Sequence, residues 1–465
     1  MTINLAKTEI IHFVGIGGIG MSGLALIMNG LGFNVQGSDL SPNKNIERLK
    51  KNKIRVFIGH KKKNISNSTI LVVSSAIDKK NIELNVARRK KLPIYLRGDM
   101  LAHIVSLIKQ NVVVCGSHGK TTTTSLVSGI FLKAKLDPTV INGGVIKSFK
   151  NSAKLGKSNW CIIESDESDG SFLKVLPTYS IVTNIDKEHM DYYKNLNSLK
   201  KSFIEFIKKT PSFGKSIICI DDKNIQEVIK NIKVKNYITY GMNQKSNFRI
   251  HNIIQNTKFS YFDLLIKLPS KKNSVIKKIK IPLLGLHNIR NAAAAAAVCK
   301  IIGISSNVIK IGLAEFKGVE RRFNKLKTYR GSLIFDDYAH HPTEIAEVLK
   351  GVKKVFHSKE IISVFQPHRI SRLKDLRTEF SSSFKNADKI ILCPIYTAGE
   401  KLKLGFEYSD FARKLSYNSK AQVILINNKK DLSNYIKNNI YGEKILIAMG
   451  AGSISNWIRD ISEKI

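Results

Sequence analysis

The sequence predicts an α/β protein of three consecutive domains. These are an N-terminal Rossmann-like domain, a central P-loop-type parallel sheet with a small antiparallel insert, and a C-terminal Rossmann-like domain. Three observations predict it. Short apolar runs alternate with helical stretches along nearly the whole chain, the pattern of parallel sheets covered by helices. Two glycine-rich loops, Gly15–Gly20 and Gly116–Gly119, each follow an apolar run directly and open a helix. The length, 465 residues, is that of about three ordinary domains. Boundaries near residues 108 and 319 give domains 1–108, 109–319 and 320–465.

The first domain opens with a strand over Ile10–Val14, a glycine loop and an apolar helix over Met21–Leu31. A second strand covers Asn34–Gly37. Ser41-Pro42 then reads as an N-cap with proline at the first helical position, and Ile70–Val73 reads as the third strand. The central domain begins with the strand Asn111–Cys115 and continues through strands at Trp160–Ile163 and Tyr179–Thr183. From about Asn247 to Ile281, apolar residues alternate without helix caps, which predicts the antiparallel insert. The alanine run Ala292–Ala297 must be helical. Strands at Ser332–Phe335, Glu360–Phe365, Lys389–Leu392, Gln422–Ile426 and Lys444–Ala448, separated by helical stretches, make the third domain another doubly wound unit.

Composition excludes several classes. Hydrophobic residues at 43% with only 10 Pro exclude a fibrous or largely disordered chain. No apolar run reaches transmembrane length, since Ile10–Leu31 is broken by Gly, His and Asn. The five cysteines are odd in number and lack a C-x-x-C pair, so free buried thiols in a reducing, cytoplasmic setting are expected. The net charge of +40 raises nucleic acid as a partner. The basic residues, however, are scattered in pairs and triplets, such as Lys61–Lys63 and Lys429-Lys430, rather than gathered on one arm with aromatics. No specific nucleic acid and no membrane partner is expected.

Gly15-Ile16-Gly17-Gly18-Ile19-Gly20 matches the dinucleotide fingerprint, and Asp39 ends the next strand where an acid commonly holds a ribose hydroxyl. Read alone, it points to a dinucleotide and an oxidoreductase. Gly116-Ser117-His118-Gly119-Lys120-Thr121 resembles a P-loop shortened by two residues, with Val114 in the place of the first glycine. Its physics survives: amides cradle phosphates, Lys120 reaches the β and γ phosphates, and Thr121 offers a hydroxyl to Mg²⁺. Such a loop needs an acid at the end of a neighbouring strand. Glu164 supplies it and leads into Asp166, Glu167 and Asp169, four carboxylates in six residues. His189, beside Asp186 and Glu188, is a candidate ligand for a second metal.

In order, GIGGIGMSG, GSHGKTTTT, ESDESDGSF, NIDKEHMDYY, GLHNIRNAAAA, GVERRF, DDYAHHPTE and FQPHRISRLKDL resemble the Mur ligases of peptidoglycan synthesis. MGAGSIS extends the resemblance to almost the whole chain. It implies ATP-dependent amide formation through an acyl phosphate, joining L-alanine to the carboxylate of UDP-N-acetylmuramate. The alternative is a sister ligase that attaches a preformed peptide during wall recycling; FQPHRISRLKDL favours free alanine.

The resemblance also implies roles. Gly116, Ser117, His118, Gly119, Lys120, Thr121 and Thr122 would hold the ATP phosphates. Thr121 and Glu164 would bind one Mg²⁺ and His189 the second, with Lys120, Glu164 and His189 as the catalytic set. His287, Asn288 and Asn291 would contact adenine. Arg322 would reach the phosphates on domain closure, and Asp337 and Tyr338 would lie near the nucleotide's ribose and base. Gly15, Gly17, Gly18, Gly20, Asp39, Ser74 and Ser75 would take the UDP-sugar, which replaces the dinucleotide reading. Arg369 and Arg372 follow a buried strand and are spaced to share a helix face, so they suit the alanine carboxylate. His340 and His368 would complete that pocket. A monomer or weak homodimer is expected.

Overall fold

A computed structural model describes residues 5–74, 76–233, 236–269 and 272–465. The chain forms two compact units. One comprises Met1–Ile253, Tyr261–Ile281 and Arg290–Lys317; the other comprises Ile254–Ser260, Pro282–Ile289 and Gly318–Ile465.

The first sheet is built from β1 (Ile10–Val14), β2 (Asn34–Asp39), β3 (Arg55–Ile58), β4 (Ile70–Val73) and β5 (Ile94–Leu96). All are parallel, in the order β3-β2-β1-β4-β5. The order reverses between β1 and β4, the switch point at which such sheets bind ligands. Two expectations need correction. Ile70–Val73 is the fourth strand, because the short and partly exposed Arg55–Ile58 pairs with β2 before it. Ser41-Pro42 does not open the second helix, which runs Lys44–Lys51 and is capped by Asn43, whose side chain accepts from the amides of Asn45 and Ile46. An Asn carbonyl beside two orphan amides makes the better cap.

The second sheet has ten strands: β6 (Gln110–Cys115), β7 (Thr139–Ile146), β8 (Asn151–Lys154), β9 (Trp160–Glu164), β10 (Tyr179–Val182), β11 (Lys215–Cys219), β12 (Tyr237–Gly241), β13 (Phe248–Gln255), β14 (Ser260–Ile266) and β15 (Ser274–Ile281). Their order is β15-β14-β13-β12-β11-β10-β6-β9-β7-β8. Its centre is parallel, and β6 lies between β10 and β9. In the insert, the Lys267 amide donates to the Asn247 carbonyl and Asn252 Nδ2 to Asp263, so β13 and β14 run antiparallel. Along β14 every second residue is buried, the period of a sheet covered on one face. The alanine run lies in the helix Leu286–Ile302, with Ala292–Ala297 wholly buried.

The third sheet, in the other unit, contains β16 (Asn324–Tyr329), β17 (Ser332–Asp337), β18 (Glu360–Phe365), β19 (Lys389–Leu392), β20 (Gln422–Leu425) and β21 (Lys444–Met449). Their order is β16-β17-β21-β18-β19-β20, parallel except for the edge strand β16. Its apolar core includes Phe365, Phe380, Phe384 and Phe411. No described helix is long and apolar enough to cross a membrane.

Beneath the first sheet, Glu83 is 0% exposed. Its Oε2 accepts from Ser38 Oγ at 2.5 Å and lies 3.3 Å from both His12 Nε2 and His60 Nδ1. Its Oε1 accepts from Asn64 Nδ2 at 2.6 Å and from the Lys61 amide. Burial pushes the carboxyl up, but the bonds from His12, Ser38 and Asn64 and the charge of His12 outweigh it and hold it at about 2. A depressed carboxylate stabilises the fold above its ordinary pKa and loses that contribution as pH falls through the folded value, here between about 4.5 and 2. Glu83→Gln should therefore destabilise the first sheet at pH 7 by about 3 kcal/mol. The difference from wild type should shrink across that window, as read by hydrogen exchange at β1. A difference independent of pH would refute the role of the charge.

Candidate active site

The phosphate loop is placed by the register of the central sheet. Val114 of β6 lies opposite Glu164 of β9, and Cys115 opposite Val182 of β10, so three loops leave the sheet side by side at the carboxyl ends of its central strands. Between β6 and the helix Lys120–Lys133, Gly116 and Gly119 adopt φ of +128° and +82°. Any Cβ at Gly116 would strike Thr183 Oγ1, and one at Gly119 would come within 2.5 Å of Asn291 Oδ1. Glycine is required at both for conformation and for space. The Ser117 and His118 amides donate to the Asn184 carbonyl and side chain, at 3.0 and 2.8 Å. These bonds fix the loop. They also turn two of its amides towards the protein, so the amides of the helix's first turn, at Lys120, Thr121 and Thr122, are the ones suited to an anion.

Lys120 sits at the centre. Its ammonium donates to the carbonyls of Gly116 and Ser117 and to Glu167 Oε2 at 2.7 Å. Burial alone would lower its pKa; Glu167, Asp166, Glu188 and Glu164 together outweigh burial and raise it. Glu167 is 0% exposed. Burial pushes its carboxyl up to about 8 against the pull of Lys120, and the charges of Asp166 and Glu188 act in the same direction as burial. Its Oε1 has no hydrogen-bond partner among the described residues. A buried carboxylate so arranged is costly unless a cation joins it.

The carboxylates divide into two groups. Thr121 Oγ1 donates to Glu164 Oε1 at 3.1 Å, while Glu164 Oε2 accepts from the Gly143 amide. Separately, Asp166, Glu167 and His189 each offer one ligand atom, all within 4.8 Å of one another. His189 is held with φ +58° at the start of the turn Met190–Tyr193. Neither Asp166 nor Glu167 was expected as an individual ligand; ESDESDG shows the acids but not which of them are buried. His118 is tied to Asp186, Nε2 to Oδ2, at 2.9 Å.

In the first domain, Gly15 follows β1 and Ser74 follows β4, so both lie at the switch point. Asp39 Oδ2 accepts from the Gly17 amide at 2.8 Å and its Oδ1 from the Leu40 amide. It thus shapes the glycine loop. A Cβ at Gly17 would meet that carboxylate at 2.8 Å, Gly18 caps the helix Ile19–Gly30, and Gly20 lies against Arg97. Ser75 lies outside the described residues. Within the same unit, Arg97 reaches Asp166, 4.0 Å away.

The other unit gathers a second cluster after β17 and β18. Tyr338 and His340 pack edge to face at 5.0 Å, His340 and His368 at 5.8 Å, and His368 stacks on Tyr396 at 5.6 Å. The Arg322 guanidinium lies over the Tyr338 ring, 5.1 Å from its centre, and 3.8 Å from Glu344. Glu344 also lies 3.3 Å from His340 Nδ1. Arg372 Nη1 is 3.2 Å from His368 Nδ1. Burial, then the charges of Arg372 and Arg369, hold His368 down at about 4, so the ring is neutral and accepts from Arg372. Asp337 is held by the backbone. Both its oxygens accept backbone amides, from Phe323 and Ala339, and burial pushes it up to about 6. His287 and Asn288 open the alanine helix in this unit, Asn288 Nδ2 donating to the Leu284 carbonyl. Asn291 belongs to the unit that holds the phosphate loop. Sequence reasoning missed Glu344 and Tyr396: the first is visible only as the capping residue of the helix Pro342–Val355, the second only through tertiary stacking.

The chain is similar to known proteins along nearly its whole length. Residues 10–109 match the Mur ligase family catalytic domain, residues 114–299 the Mur ligase middle domain, and residues 321–452 the Mur ligase glutamate ligase domain. The chain is 64% identical over 465 residues to the UDP-N-acetylmuramate–L-alanine ligase of Pelagibacter ubique, covering 100% of both. It is 39% identical over 459 residues to that of Bartonella bacilliformis, covering 98% of this chain and 96% of the other. The crystal structure of the UDP-N-acetylmuramate–alanine ligase from Thermotoga maritima superposes with a TM-score of 0.82 at 26% identity, over 98% of each chain. Three family domains in order, and whole-length identity to such relatives, establish that the chain belongs to the Mur ligase family.

Proposed function

We infer that the chain joins L-alanine to the carboxylate of UDP-N-acetylmuramate in an ATP-dependent ligation that builds a peptidoglycan precursor. Relatives of that activity cover the whole chain. The observation that carries the chemistry is Lys120, half-buried at the start of a helix and ringed by Glu167, Asp166, Glu188 and Glu164. The sugar carboxylate attacks the γ-phosphorus of ATP and releases ADP; the alanine amine then attacks the acyl carbon and phosphate leaves. Both steps build negative charge on oxygen, so catalysis rests on positioning and charge neutralisation.

The amides of Lys120, Thr121 and Thr122 and the Lys120 ammonium hold the phosphates. An incoming phosphate competes with Glu167 for that ammonium. Magnesium fits here: oxygen donors dominate both carboxylate groups, and Glu167 Oε1 is buried without a hydrogen bond among the described residues, with His189 Nε2 3.8 Å away. Thr121 with Glu164, and Asp166 and Glu167 with His189, would hold it. Bound there, magnesium would neutralise phosphate charge and polarise the phosphoryl oxygens.

Residues 1–108 take the UDP-sugar at the switch point, through the loop Gly15, Gly17, Gly18 and Gly20, which Asp39 shapes, and through Ser74. His287, Asn288, Asn291, Arg322, Asp337 and Tyr338 serve the nucleotide. Arg369 and Arg372 take the alanine carboxylate, with neutral His368 and His340 beside them, which leaves the amine to attack. All five cysteines are free and buried, which supports a reducing, cytoplasmic setting.

Incubation with UDP-N-acetylmuramate, ATP, magnesium and single amino acids should release phosphate with L-alanine. Release with a peptide in place of the amino acid would identify a recycling ligase. Lys120→Ala should lower turnover by about 10³-fold in a folded protein, as loss of one preorganised charge does. Near-normal turnover would remove the phosphate-loop assignment. Arg369→Ala and Arg372→Ala should each raise KM for L-alanine by about 10²-fold with KM for ATP nearly unchanged. Lysine at either position should recover only part, because a point charge lacks the bidentate fork. Unaltered alanine kinetics in both would move the amine site elsewhere.

A further inference from the structure

Arg369 has a backbone conformation that few residues other than glycine adopt. Its φ is +70° with ψ 134°, immediately before the helix Ile370–Asp375. Such a conformation costs of order 1–3 kcal/mol and persists only where the surroundings fix it. The surroundings here are one loop, Pro394–Glu400, which follows the neighbouring strand β19.

That loop grips Arg369 from both sides. On one side the Arg369 amide donates to the Tyr396 carbonyl at 2.8 Å, and the Tyr396 amide donates to the Pro367 carbonyl at 2.8 Å. The Tyr396 ring stacks on His368 with 12° between planes. On the other side Glu400 holds Ser371 twice: Oε2 accepts its amide at 3.0 Å and Oε1 its hydroxyl at 2.6 Å. Burial works against the ionised Glu400, but the two bonds from Ser371 and the charge of Arg369 outweigh it and keep the carboxyl below its usual range. Tyr396 is itself backed by Gly452 after β21, where a Cβ would come within 2.5 Å of the Tyr396 ring.

We propose that Glu400, with the Tyr396 carbonyl, is a positioning device that locks Arg369 in its strained conformation and so presets the guanidinium for the substrate carboxylate. Neither residue touches the reacting atoms. The proposal rests on the reading of Arg369 as a ligand of the amino acid. A fork of two parallel bonds is sensitive to displacement, because both must be made at once. A loop that holds the backbone on each side of the arginine removes that displacement before substrate arrives, and the ordering cost is met during folding rather than binding.

The test compares Glu400→Ala, Glu400→Gln and Gly452→Ala with Arg369→Ala in the full chain, by steady-state kinetics and thermal melting. Glu400→Ala should raise KM for L-alanine by about tenfold, with kcat and the KM values for ATP and UDP-N-acetylmuramate within about twofold. Glu400→Gln keeps one acceptor for Ser371 and should show a smaller rise. Gly452→Ala displaces Tyr396 from behind and should reproduce the KM effect without touching Glu400. A general loss of structure would move kcat and all three KM values together with the melting midpoint, and would overturn the proposal. So would an unchanged KM for L-alanine in Glu400→Ala where Arg369→Ala raises it. If Arg369→Ala itself leaves that KM unchanged, the site reading fails first and the proposal falls with it. Should Glu400→Ala not fold, Glu400→Gln and Gly452→Ala decide the matter by the same readout.

Discussion

A half-buried lysine side chain and a fully buried glutamate 2.7 Å apart, just beyond the end of β6, set the conditions for the proposed phosphate site. Neither ion is stable there alone. Desolvation opposes the charge on both; the surrounding carboxylates outweigh it at Lys120, whereas at Glu167 burial prevails over the pull of Lys120 and holds the carboxyl up at about 8. The pair in turn fixes the chain around it. Lys120 bonds back to the carbonyls of Gly116 and Ser117, which draws the loop into the positive-φ path that only glycine follows without strain. The Glu167 carbonyl accepts from Tyr193 Oη, which ties the acidic loop to the turn that carries His189.

On the proposed reading, the balance of charge would make such a site favour a polyphosphate with a divalent cation over either alone. Four carboxylates raise the pKa of one ammonium, so the local charge in the protein is negative, although the whole chain carries +40. A bare phosphate would meet that excess. A cation beside the carboxylates would remove it and leave Lys120 to the anion. The scattered lysines add only a long-range field, screened over about a Debye length of 8 Å at physiological salt.

Much of this was legible in the sequence, and the reason is locality. A strand, a glycine loop and GKT lie within a few residues, so Lys120, Thr121 and the two glycines declare themselves. The alternation in β14 and the alanine run were equally plain. Features decided by burial or by distant pairing were not. ESDESDG shows four acids, yet nothing local distinguishes Glu167, 0% exposed, from its neighbours. Arg55–Ile58 and Ile94–Leu96 are strands because sheet partners exist for them, not because their own patterns are strong. Asn43 displaced Ser41 as the cap through side-chain geometry that composition does not encode. Glu400 bonds a residue 29 positions earlier, and its role follows only from the adjacency of β18 and β19.

Polar side chains at these sites do structural duty before any ligand arrives. Asp39 holds the Gly17 amide, Asp337 the amides of Phe323 and Ala339, and Glu400 the amide of Ser371. Arg321, Phe323 and Arg369 have φ of +60°, +48° and +70°. Each of their amides is pinned, by Asn324 Oδ1, Asp337 Oδ2 and the Tyr396 carbonyl respectively. Positive φ also occurs at lysines such as Lys53, Lys91 and Lys135, where the chain turns just after a helix and the conformation is an ordinary terminator. The difference lies in what holds the residue. At the helix ends the main chain closes on itself; at Phe323 and Arg369 a separate loop or strand end supplies the acceptor. Carboxylates used this way are not lost to binding, since each oxygen has a second lone pair. They convert a flexible loop into one with a single conformation, and the reaction needs that from groups that must meet charge as it forms.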